Sequence, residues 1–109
     1  MSDESLVDRV RICLKRRRGI KELRMFGGHC FLVNGNMLGG VTGTDELIVR
    51  VGAEDYADAL RHPHAREMDF TGRRMRGFVV VSADGCSDTE SLRFWIDWGH
   101  SFAKSLPPK

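Results

Sequence analysis

Three cysteines, one tyrosine and only three prolines, two of them together at Pro107-Pro108, leave little room for several kinds of protein. An odd number of cysteines without Cys-x-x-Cys spacing excludes a disulfide framework and a simple zinc ribbon, and it suits a reducing setting. Long apolar runs are missing as well. The longest uncharged stretch, 25–44, is broken by glycines, two asparagines and a histidine, so it does not read as a membrane-spanning helix. The N-terminus runs Ser2-Asp3-Glu4 with no apolar h-region or small-residue cleavage site, so the expected location is cytoplasmic, with no membrane partner. Nor is there an excess of one charge. Net charge is +2, but it is clumped in Lys15-Arg16-Arg17-Arg18 and in Arg73, Arg74 and Arg76. The first clump reads as a solvated cationic helix end.

What is present fits one domain of 109 residues, with 41% hydrophobic and 29% charged residues and an ordered core expected over about 3–104. Leu6, Val7, Val10, Cys13 and Leu14 recur at helical spacing and predict a helix from about Asp3 to Arg17, capped by Ser2 and closed by Gly19. From Leu23 the period becomes two. Asn34-Gly35 between apolar runs predicts a type I′ hairpin joining Cys30–Val33 to Met37–Val41, with residue 28 opposite 41 or 42. On this register the glycine pairs Gly27-Gly28 and Gly39-Gly40 face each other and leave a bare patch of sheet. A turn at Gly43-Thr44-Asp45 leads to the strand 47–51, in which Leu47, Val49 and Val51 face one way and Ile48 and Arg50 the other.

A short helix carrying Tyr56, Ala59 and Leu60 ends near Pro63, and a strand around 68–70, a turn at Thr71-Gly72 and a strand 77–81 follow. Ser87 and Glu90 stand at capping-box spacing before a helix running to about Lys104. Its core stripe is Leu92, Trp95, Ile96, Gly99 and Ala103, and a second stripe of Phe94, Trp98 and Phe102 lies beside it. That width predicts a second cover, either the first helix or another copy of the chain in a homodimer. The tail from about Phe102 onward is expected to be unattached. The pattern as a whole is α+β, an antiparallel sheet packed by N- and C-terminal helices.

Reactive constellations are hard to assemble. His62-Pro63-His64 with Cys86 or His100 falls short of convergent metal ligands, so no metal site is assigned. His29 and Cys30 are strand neighbours pointing to opposite faces and cannot share a proton. Carboxylates such as Asp45, Glu46, Asp55, Asp58, Asp69, Asp84 and Asp88 sit at turns and helix starts, without the opposed pairing of acid and base. The glycine pairs match no phosphate-binding motif. The residues therefore predict no enzyme and no cofactor. Two binding readings remain. One is a protein-interaction module using Phe94, Trp98 and Phe102 together with Arg73, Arg74 and Arg76 at an exposed turn. The other is a small-ligand or nucleic-acid binder using Arg24, Gly27, Gly28, Arg50 and Arg76, with nucleic acid a weak or indirect partner.

Several segments carry a family resemblance: Arg24-Met25-Phe26-Gly27-Gly28, the hairpin ending Gly35-Asn36-Met37, Arg50-Val51-Gly52, Pro63-His64-Ala65-Arg66 through Gly72, Met75-Arg76-Gly77-Phe78-Val79 and the helix from Trp95 to Phe102. In order and spacing, from about Leu6 to Pro108, they resemble the TfoX N-terminal domain (TfoX/Sxy) family, in particular its short stand-alone members. The resemblance implies a bacterial cytoplasmic α+β domain of the secretion-chaperone-like type, without cofactor or enzymatic activity. It also implies a tie to regulators of natural competence that act with a cyclic-AMP receptor protein and carry a second, C-terminal domain, which would begin where this chain ends. His29, Glu67 and Arg74 depart from the family pattern, an apolar residue being expected at the first and proline at the other two.

Overall fold

In the computed structural model, which describes residues 5–25, 27–70 and 73–109, the Asn34-Gly35 turn organises the sheet. Both residues take positive φ, 52° and 83°, the geometry that lets a two-residue turn follow the twist of its strands. It joins β2 (Gly28–Val33) to β3 (Asn36–Val41), with Val33 opposite Asn36 and His29 opposite Val41, which places residue 28 beside 42 as expected. One detail differs. The register slips between Phe31 and Leu32, so that Leu38 is an extra residue on β3 and Gly39-Gly40 lie opposite Phe31 and Cys30 rather than Gly27-Gly28.

Among the described residues six strands form one antiparallel sheet. The others are β1 (Ile20–Met25), β4 (Leu47–Arg50), β5 (Ala65–Phe70) and β6 (Arg73–Val81), in the order β1-β2-β3-β4-β6-β5. β5 begins earlier than expected and β6 starts at Arg73, making these two the longest hairpin arm; the Thr71-Gly72 turn lies outside the described residues. Alternation on β4 follows the expected faces, with Leu47 and Val49 buried and Ile48 and Arg50 half-buried.

The helices are α1 (Leu6–Leu14), α2 (Tyr56–Leu60) and α3 (Thr89–Ser105), with a 3-10 turn at Ala83–Cys86. The expected caps move by a residue or more. Ser5 accepts the Asp8 amide at the start of α1, and the predicted Ser2 cap lies outside the described residues. Asp88, not Ser87, caps α3: its carboxylate accepts the Ser91 hydroxyl at 2.7 Å and the Ser91 amide at 3.1 Å, which in that order hold the Asp88 carboxyl below the usual range. Ser87 is instead used up one turn earlier, its hydroxyl donating to the Asp84 carbonyl.

α3 lies across β2, β3 and β4, and α1 packs against α3 and β3 on the same face. The core between them includes Val10, Leu14, Phe31, Leu38, Val49, Leu92, Trp95 and Ile96. Contact is closest at Gly99, where a Cβ would collide with the carbonyl oxygen of the bulged Leu38. The tail is attached rather than free. The Lys109 amide donates to the Asn34 carbonyl at 2.9 Å, and the side chain of Asn36, a buried polar residue, donates to the Pro107 carbonyl at 3.0 Å.

At the sheet edge the Arg11 guanidinium of α1 grips Glu22 of β1 through two bonds of 2.8 and 2.6 Å, and His29 Nδ1 meets the same carboxylate at 2.8 Å. The Arg11 bond is the main cause holding the Glu22 carboxyl below its ordinary value.

Two outcomes are expected. Gly99→Ala destabilises by about 1–2 kcal/mol in urea unfolding, because overpacking against backbone outweighs the helix propensity gained. The Glu22 carboxyl is depressed in the folded state, so its stabilisation is complete above the unfolded pKa of about 4.3 and is lost as pH falls through the lower folded value. Thermal unfolding from pH 7 to 3 should show a steeper acid-side loss for wild type than for Glu22→Gln; equal slopes refute the coupling.

Candidate functional site on the open sheet face

The arginines of the expected anion site do not share one surface. Arg24 is exposed on β1 opposite His29, and alternation places it on the same side as Glu22, the helix side. Arg50 points the other way with Ile48 and is half-buried, its guanidinium carbon 5.5 Å from the ring centres of both Phe78 and Phe102 and its Nη1 donating to the Met37 carbonyl. Arg76 is exposed on β6, Gly27 turns the chain between β1 and β2 at φ 78°, and Gly28 opens β2. Arg73 and Arg74 open β6 opposite Phe70 and Asp69 instead of occupying a turn, and their side chains lie outside the described part.

Most of the second stripe of α3 is covered from within the chain, by residues 52–62 rather than by α1. Gly52, at φ 88°, turns the segment after β4 back across α3, and the Phe102 ring fills the space over it, where a Cβ would strike the ring. Trp98 donates Nε1–H to Asp55 at 3.4 Å. The His62 ring lies 5.4, 5.0 and 5.9 Å from Phe94, Trp95 and Trp98, centre to centre. Only Phe94 of the three stripe residues stays largely exposed, at 47%. α1 meets α3 on another side, where Arg17 pairs with Asp97. Periodicity registers the width of an apolar face but not which later segment will fold onto it.

The face of the sheet opposite α1 and α3 holds a groove of about 570 Å³. Its walls are chiefly apolar, with Met37, Ile48, Met68, Met75, Phe78 and Val80 from β3, β4, β5 and β6. Gly28 lies at one end of the lining, but the expected bare patch of facing glycine pairs does not form: Gly40 lies between Cys30 and Ile48, and a Cβ at Gly28 or Gly40 would strike neighbouring backbone. The bulge between Glu67 and Asp69 aims Met68 inward. At the rim Arg66 donates to Glu46 at 2.6 Å, which holds the Glu46 carboxyl below its usual range.

The chemistry of this lining is that of binding. Burial pushes the Cys30 thiol above its ordinary value, which keeps it protonated near neutrality. The Thr42 hydroxyl accepts from the Thr44 and Glu46 amides and so caps its own loop. His64 Nδ1 and the Ser82 hydroxyl lie 3.4 Å apart, away from this groove. Among the described residues no three His, Cys, Asp or Glu side chains gather where they would hold a metal ion.

A family model described as the TfoX N-terminal domain matches residues 13–103. The chain belongs to this family. No curated protein matches it. The family is generally non-enzymatic, and the matched span contains every strand, α2 and nearly all of α3. No described helix is long and apolar enough to cross a membrane. The sequence singles out neither the groove nor its methionines, although Met37 and Met68 lie on expected strands and Met75 just ahead of one; the missing signal is which strand faces receive no helix.

The buried thiols provide a check. In native protein at pH 7, Ellman's reagent should leave Cys30 and Cys86 unmodified over minutes, and all three cysteines should react in denaturant. Rapid native labelling of Cys30 would revive a reactive-cysteine account.

Proposed function

We propose that the chain is a non-enzymatic regulatory interaction module that receives an amphipathic helix of a protein partner in the groove on its open sheet face. One observation carries this reading: one face of the sheet is covered by α1 and α3, while the other presents an apolar channel that no described helix fills. The channel crosses five strands, about 19 Å at the usual strand spacing, which matches a helix of about 13 residues. α3 already crosses the opposite face in this manner. Methionine side chains adapt to differently shaped apolar partners, a property that suits helix-in-groove recognition. A small molecule is less well served, because a channel this open would leave much of a compact ligand in water. Family membership supports an interaction role at the coarse level.

The test is site-specific photo-crosslinking in living cells. A photoreactive phenylalanine analogue replacing Met68 should trap one discrete polypeptide, with the adduct mapping to the apolar face of a helix, and Met37→Glu should reduce the yield at least about tenfold, the factor for roughly 1.4 kcal/mol. The same analogue at Phe94 should give no such adduct. Trapping from Phe94 alone, an adduct with a second copy of the chain, or a yield indifferent to Met37→Glu would each overturn the proposal.

A further inference from the structure

Positive charge is concentrated far more than the net value of +2 suggests. Residues 9–24 contain eight arginines and lysines against one carboxylate, Glu22. That carboxylate is held by Arg11, which also binds Asp8 at 2.8 Å. Arg17 is likewise matched, by Asp97 of α3. What remains is unbalanced: Lys15, Arg16 and Arg18 are exposed and enter no ion pair among the described residues.

Tertiary structure extends this run with charges distant in sequence. α1 lies alongside α3, with Arg9 donating to the Ser87 carbonyl near one end of the contact and Arg17 reaching Asp97 near the other. Between them the Cys13 thiol, raised mainly by burial, feels the opposing pull of Arg93, Arg17 and Arg9 together. Further along α3, burial lowers the His100 pKa, and Arg17 and Lys104 lower it further. These effects show cations from α1, the following turn and α3 acting on the same few side chains. The exposed residues Arg93 and Lys104 are eleven positions apart on one helix, so the resulting ridge is about 17 Å long at 1.5 Å per residue. Acidic side chains collect away from this run at Glu54, Asp55 and Asp58 beside α2, while Asp84, Asp88 and Glu90 surround Ser87 and bound the ridge at its Arg9 end.

We infer that the ridge formed by Arg9, Lys15, Arg16, Arg18, Arg93 and Lys104 is a sequence-independent contact surface for the phosphate backbone of nucleic acid. The ridge is linear and mostly guanidinium, which suits a regular row of phosphates and bidentate pairing. A ridge of ~17 Å spans about five phosphates of one duplex strand at 3.4 Å per step. A lipid surface is a poorer match because, among the described residues, α1 exposes a single large apolar side chain, Ile12 at 57%, and the exposed Phe94 of α3 packs toward His62. The surface is separate from the sheet groove, and either proposal stands without the other.

Fluorescence anisotropy with a labelled 20-base-pair duplex of arbitrary sequence tests it. For about four phosphates neutralised, log K should fall against log salt with a slope of about −3.6, so that affinity drops about 150-fold between 50 and 200 mM salt. Arg16→Gln with Arg18→Gln should flatten the slope by about 2 while circular dichroism and melting stay unchanged. Met37→Glu in the groove should leave duplex binding as in wild type. The inference is overturned by no binding at 50 mM salt, by a double variant that binds like wild type, or by displacement of duplex by polyglutamate at equal charge. Stronger binding to phosphatidylserine–phosphatidylcholine vesicles than to duplex, lost in Ile12→Glu, would assign the ridge to membranes instead.

Discussion

The seating of α3 on the sheet at Gly99 governs most of what this molecule presents to its surroundings. A helix approaches a sheet this closely only where a side chain is missing, and here the missing Cβ faces the carbonyl of Leu38, the residue that the β3 bulge inserts out of register. Glycine on the helix and bulge on the strand are thus one fitted contact. Through it Trp95, Ile96 and Leu92 reach Phe31, Leu38 and Val49, and the apolar side chains of one sheet face leave water. With α1 beside α3, the helical cover is confined to that face.

An asymmetric cover has two consequences. The opposite face keeps a channel of methionine, isoleucine, phenylalanine and valine that would cost free energy to leave wet, a property associated with surfaces that accept partners. The helical side, being the outer surface of α1 and α3, carries the charges that the core rejects. Because α1 and α3 lie side by side, Arg9 and Arg17 meet residues of the far end of the chain, at the Ser87 carbonyl and at Asp97. The apolar channel and the cationic outer surface of the helices therefore end up on opposite sides of the same sheet.

Local signals were legible to the extent that they are local. The Asn34-Gly35 turn, the two faces of β4 and the core stripe of α3 follow from backbone preference and periodicity, and the structure reproduces each. Caps were displaced because Ser5 and Asp88 compete with nearby Ser2 and Ser87, and geometry over three residues chooses among them. The tail was misjudged for a different reason. Its partners, Asn34 and Asn36, lie about seventy residues away, and no local pattern in a Pro-Pro segment announces that its carbonyl will meet a buried amide. The cover over Phe94, Trp98 and Phe102 came from residues 52–62 through the turn at Gly52, again a long-range event. Of the expected site residues, Arg24, Arg50 and Arg76 were scattered because strand order and side-chain alternation, not sequence proximity, decide which guanidinium groups share a face.

By itself the sequence determined the turn chemistry, the alternating and helical periods and the α+β class, since these arise from torsional preference and the pairing of near neighbours. Its motifs also determined the family, whose match over residues 13–103 spans nearly the whole core. Tertiary structure alone decided which sheet face is covered, where the groove opens and which cations stand together. Those properties depend on contacts between segments far apart in the chain, where burial and steric fit select one arrangement from many that the local signals would equally permit.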